Sequence, residues 1–213
     1  MLLVLTGYLW YAFSNFTGNG DSNPCAQVNV LINEEQKGFI HKSEILETLH
    51  ESGCYPVGVA MKEIKGKLIE NALSKNPYIE TVVCFKSPGE MVNILIEQRL
   101  PVLRIITENG DNYYVSEAGD SLPPMHYAEN ILVATGKIST EFATTKLKDL
   151  ANYVSKHEFW DTQIEQIQVL DGEKIMLYPR VGRQKISFGR VEKIKTKFDN
   201  LKLFYDKVMP VVG

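Results

Sequence analysis

A switch in hydrophobic period at Asn76-Pro77 constrains this chain more than any other feature. Before it, Met61, Ile64, Leu68 and Ala72 recur at three- and four-residue steps, with Lys62, Lys65 and Glu70 elsewhere. That is one apolar stripe of a helix. After it, Tyr78 to Phe85 is rich in β-branched and aromatic residues, Ser87-Pro88-Gly89 turns, and Met91 to Gln98 returns with Val92, Ile94 and Ile96 alternating. A helix-period segment does not settle as a strand, nor the reverse, so a helix must give way to a hairpin here. Working outward, Ala26 to Ile32 predicts a strand with Val28, Val30 and Ile32 on one face. Ser43 is placed to cap a helix running to about Ser52, carrying Ile45, Leu46 and Leu49 and closed by Gly53. The second helix is predicted from about Val59 to Ser74. Residues 25–103 therefore read strand, helix, helix, strand, strand.

Pro101 falls where a strand would lose a ladder donor, which places a domain junction there. Beyond it, Val102 to Thr107 and Asn112 to Ser116 form a hairpin around Glu108-Asn109-Gly110-Asp111, since Asn-Gly supplies the positive φ of a tight turn. Residues 121–125 read as loop and Ile131 to Ala134 as a short strand. A helix from about Thr140 to Lys156 buries Phe142, Leu147, Leu150, Ala151 and Val154. Ile164 to Leu170 and Lys174 to Pro179 pair across Asp171-Gly172, and Lys185 to Phe188 adds a strand. Val191, Ile194, Phe198, Leu201, Tyr205 and Val208 then give an amphipathic stripe of five turns. The class is α+β, and no internal repeat or low-complexity tract is evident.

Residues 1–16 carry no charge, and the first basic residue of the chain is Lys37. At about 1.5 Å per residue, such a helix falls short of a hydrocarbon core of roughly 30 Å. Three readings fit: part of a membrane anchor occupying residues 1–18, an uncommon signal sequence, or a buried apolar helix. Tyr8, Trp10 and Tyr11 cluster as interfacial aromatics do, which favours the anchor. Residues 19–24 are turn-rich and read as a linker. A net charge of −3 over 213 residues argues against a dedicated nucleic-acid binder. The charge is uneven. From Lys174 to Lys207, ten Lys or Arg face three acids, a local balance of +7 that leaves −10 on the remainder.

The search for chemistry is negative. No phosphate loop, dinucleotide fingerprint or nucleophile elbow is present. His157-Glu158-Phe159-Trp160-Asp161 begins like a zinc-protease motif but has aspartate where the second histidine belongs. His41, His50 and His126 lack a metal-ligand spacing, and Cys25, Cys54 and Cys84 lack a C-x-x-C. Cys25 and Cys84 both border predicted strands and could pair in an oxidising compartment. Small buried thiols are the simpler role for all three. The residues predict a non-enzyme with no cofactor and no metal.

Asn76-Pro77-Tyr78-Ile79-Glu80 entering a strand, Ser87-Pro88-Gly89, and Gln98-Arg99-Leu100-Pro101-Val102-Leu103-Arg104-Ile105 resemble the FtsQ/DivIB cell-division proteins, the Bacteroidetes branch above all. Gly110, Tyr113-Tyr114-Val115, Gly119, Leu122-Pro123, then Ala134-Thr135-Gly136 and Phe188-Gly189-Arg190 continue the likeness in order, over residues 25–213. The resemblance implies one membrane helix followed by a POTRA module (25–103) and a β domain (104–213), with the bulk of the chain in the periplasm. It implies a scaffold at the inner membrane that links early and late division proteins of the FtsB and FtsL type, with no nucleic acid or small-molecule substrate. A partner segment would add as a strand to the sheet edge near the chain's end, by β-augmentation. Relatives continue into terminal strands after the last helix, so the β domain is expected to lack those. The candidate contact residues are Lys185, Ile186, Phe188, Arg190, Phe204 and Tyr205; core packing of Phe188 and Tyr205 and solvated charge at Lys185 and Arg190 are the plainer roles. The POTRA likeness alone also fits an accessory of outer-membrane assembly or secretion.

Overall fold

The computed structural model describes residues 22–33, 39–124 and 131–209. The expected anchor and the first part of the linker lie outside these residues. The chain divides into two compact units, one ending at Gln98 and the next beginning at Arg99. Helices and mixed sheets make it α+β.

The first unit runs β1 (Gln27–Ile32), α1 (Lys42–Glu51), α2 (Gly66–Leu73), β2 (Ile79–Ser87) and β3 (Met91–Gln98). Its sheet has the order β1-β3-β2, with β1 parallel and β2 antiparallel to β3. Val92, Ile94 and Ile96 of the central strand are essentially inaccessible. With Val30, Ile45, Leu49, Ile69 and Leu73, also buried, they build a core in which each side chain contributes about 1.5–3 kcal/mol by leaving water. The other sheet face shows Leu31, Leu95 and Val83 in one cross-strand row, all exposed.

Both helix starts of this unit differ from the sequence reading. α1 begins one residue before Ser43, with His41 in the capping position, extended and without a side-chain cap. Gly53, at φ +67°, closes this helix as expected. α2 begins at Gly66 rather than Val59, because residues 58–61 are engaged elsewhere. The Gly58 amide donates to Cys25 O, the Cys25 amide to Val59 O and the Met61 amide to Asn23 O, all within 2.9 Å. A backbone so occupied cannot enter a helical ladder. The stripe therefore loses phase: Met61 and Ile64 are buried, yet α2 buries Ile69 and Leu73 and leaves Leu68 53% exposed.

The second unit is a seven-stranded sheet of order β10-β9-β8-β7-β4-β5-β6. Its strands are β4 (Pro101–Thr107), β5 (Asn112–Ser116), β6 (Ser121–Leu122), β7 (Leu132–Gly136), β8 (Ile164–Leu170), β9 (Lys174–Pro179) and β10 (Ile186–Gly189). β7 lies parallel to both β4 and β8. Parallel neighbours need a crossover, and helices supply the one from β7 to β8. Thr140–Phe142, Ala143–Leu147 and Lys148–Ser155 run on as one helix, α3, followed by α4 (Glu158–Gln163). The last helix is α5 (Ile194–Lys207). Pro101 opens β4 opposite Ser116, a first-residue position where its missing donor is tolerated. Residues 121–122 pair with β5 instead of forming loop, which buries Leu122.

The middle five residues of α3 take the wider π turn. The apolar spacing explains it. Phe142 and Leu147 are five apart, a step that would turn them to different faces of an α-helix, while Leu147, Leu150, Ala151 and Val154 keep α spacing. The added residue of a π turn brings Phe142 onto the same buried face.

Candidate interaction surface

β10 is hydrogen-bonded to β9 on one side and, among the described residues, unpaired on the other. Ile186 opposes Leu177 and Ser187 opposes Met176; the register then shifts so that Gly189 opposes Ile175. Phe188 is the extra residue of this bulge, and Gly189 follows it at φ +74°. An open edge presents unpaired N–H and C=O groups, the template that a further strand requires.

The six candidate side chains divide. Phe188 is 6% exposed and packs on Phe198, ring centroids 5.2 Å apart. Ile186 is half-buried against the same core. Tyr205 is half-buried, edge-on to Phe159 at 5.7 Å and to Trp160 at 5.8 Å. Those three hold the strand and the helix in place. Lys185 lies outside the strand, exposed, with its ammonium 5.7 Å from the Tyr178 ring centre. Arg190 and Phe204 are exposed, Phe204 at 45% beside Leu203 and Val208 on the outer side of α5. The amphipathic stripe is thus buried only in its first half, at Val191 before the helix and Phe198 within it.

Lys197 is the residue sequence reasoning missed. Its Nζ donates to Phe188 O at 2.9 Å and to Arg190 O at 2.6 Å, and it sits 4.7 Å from the Phe188 ring centre. One ammonium therefore fastens the bulge of β10 to α5. Nothing in the sequence distinguishes Lys197 from the other lysines of the basic segment. Much of that segment is spent locally. Lys195 pairs with Asp199 at 2.8 Å, which holds its ammonium above the ordinary lysine value, and Lys202 pairs with Asp206.

Of the residues considered for chemistry, His157 has structural partners, and His126 lies outside the described residues. His157 precedes α4 with Nδ1 2.6 Å from Tyr153 O and its ring stacked on Tyr153. All three cysteines are free thiols. The register puts Cys84 in one row with Ile94 and Val30, so Cys25 is five residues and two strands away. That separation exceeds the reach of a disulfide. Burial first, and then the Glu70 carboxylate, pushes the Cys84 thiol up to about 11.

Comparison with known families decides the matter. Residues 100–213 match the family model described as FtsQ/DivIB, C-terminal related, and residues 23–97 match a POTRA-like domain. The chain belongs to the FtsQ/DivIB family. No curated protein matches it. This FtsQ/DivIB chain carries the POTRA-like module and the β domain in the family's order, and it is a cell-division protein in general character. Among the described residues, no helix is long and apolar enough to cross a membrane.

Proposed function

We propose that the chain is a non-enzymatic scaffold of the bacterial division machinery, held at the inner membrane by an N-terminal helix, with its bulk in the periplasm. It links early and late division proteins of the FtsB and FtsL type, one of which contributes a strand to the open edge of β10. The observation that carries this reading is the free edge of β10 within the segment matched to the FtsQ/DivIB family. Main-chain hydrogen bonds supply affinity in such a junction, and alternate side chains supply specificity. Lys185, Arg190 and Phe204 are exposed and free to meet the partner's side chains, while Ile186, Phe188, Tyr205 and Lys197 hold the edge in shape.

Photo-crosslinking in dividing cells tests it. A crosslinking residue at exposed Ser187 of β10 should capture small single-pass division proteins, whereas one at exposed Asp149 on α3 should not. Equal capture at both positions, or capture at Asp149 alone, would overturn the reading.

A further inference from the structure

A second feature lies away from the strand edge itself. Phe142 and Lys146 of α3, Gly172 and Glu173 of the β8–β9 turn, and Arg190, Val191 and Glu192 between β10 and α5 enclose a cleft of about 480 Å³. That volume lies within the range of small-ligand sites. Phe142 and Val191 are buried and form its apolar floor. Two cations and two carboxylates, Lys146, Arg190, Glu173 and Glu192, stand around this floor.

Their charges are unspent. Among the described residues, none of these four side chains makes a hydrogen bond or an ion pair. Some opposite charges elsewhere in the same unit do pair: Arg99 with Asp120 and Lys148 with Asp149 at 3.3 Å, and Lys195 with Asp199 at 2.8 Å. The backbone around the cleft is irregular on every side. Phe142 and Lys146 flank or lie in the π turn, Glu173 sits at φ +59° and Lys193, next to the rim, at φ +49°. A non-glycine residue held in the left-handed region is strained, and π turns gather at functional positions. Three separate departures from regular structure thus converge on one cleft.

We infer that this cleft is a binding site for a short zwitterionic peptide. The carboxylate is received by Lys146 and Arg190, the apolar side chain lies on Phe142 and Val191, and the ammonium faces Glu173 and Glu192. A single-sign ligand, such as a phosphate, would meet two like charges at the rim, whereas a zwitterion satisfies all four. The inference does not depend on strand addition at β10. The ligand chemistry is available from a free peptide or from the terminus of a partner protein.

Titration calorimetry of the full chain in detergent micelles, with the tripeptide Lys-Ala-Leu as probe, tests the inference. Saturable binding is expected, weakened about tenfold or more by C-terminal amidation and by the double change Lys146→Met and Arg190→Met. An N-acetylated probe with Lys replaced by norleucine, which keeps the carboxylate alone, should also weaken. A probe retained only when its C-terminus is free but insensitive to N-acetylation would indicate a protein terminus as the source. No saturable heat at millimolar peptide, or equal affinity for free and amidated probe, would overturn the proposal. Unchanged melting temperatures of the variants confirm that loss of binding is not loss of fold.

Discussion

Glu70 joins α2 to β2 through one carboxylate. The Cys84 amide donates to Oε1 at 3.0 Å, and Lys67 Nζ lies 3.3 Å from Oε2. The amide first, and Lys67 after it, hold this carboxyl below its ordinary 4.5. A depressed folded-state value means stability that is present above the unfolded value and lost as pH falls through the folded one. Thermal melts should therefore show a fall in stability below about pH 4.5 that Glu70→Gln reduces. An identical acid limb in both proteins would contradict this account. Tyr205 makes the opposite case. Its hydroxyl is enclosed and, among the described residues, has no hydrogen-bond partner, while its ring packs on Phe159 and Trp160. An unsatisfied buried hydroxyl costs about 1–3 kcal/mol. Tyr205→Phe should accordingly match or exceed the parent in denaturant unfolding, by up to about 1 kcal/mol, and a clear loss would show that the hydroxyl has a partner.

At the scale of elements, the β7–β8 pair depends on the absence of a side chain. Gly136 opposes Val169 at φ +118°, and a side-chain carbon there would lie 2.3 Å from Val169 O. Gly136→Ala should destabilise the second unit by about 3 kcal/mol or more in urea unfolding, since strain and clash add. A cost under about 1 kcal/mol would mean that the two strands part easily. Much of this layer was legible in the sequence. β3 and β5 have the limits that alternation predicts, and every position that the spacing of α3 names is buried, with Ala143 in addition. Three features were not. The late start of α2 follows from hydrogen bonds to residues 23–25, a long-range pairing that no local pattern announces. The π turn was present in the five-residue step from Phe142 to Leu147, but a single irregular step is visible only against a known buried face. Thr107-Glu108-Asn109-Gly110-Asp111 and Ser116-Glu117-Ala118-Gly119-Asp120 close two successive turns alike. In each, the hydroxyl accepts from the Asp amide, at 3.0 Å and 2.9 Å, a likeness that emerges only once both turns are seen. For the candidate surface, the sequence located the strand to within one residue, Lys185 to Phe188 against the observed Ile186–Gly189, and Lys185 falls outside it. That β10 ends the sheet, and that Lys197 fastens its bulge, emerge only from the three-dimensional pairing.

At the scale of the whole molecule, the chain is two independently cored units, a POTRA-like module and a β-rich unit whose sheet, among the described residues, ends in β10 at one edge and β6 at the other. Such an object is suited to holding other chains in place, and strand addition at β10 is the central claim made for it. Hydrogen–deuterium exchange of the full chain in detergent, alone and with an FtsB-type partner bound, tests this most directly. The partner should slow exchange of the Ile186–Gly189 amides about tenfold or more while leaving the POTRA-like unit unchanged. Binding with β10 exchanging at its original rate, and protection falling on another strand instead, would contradict it.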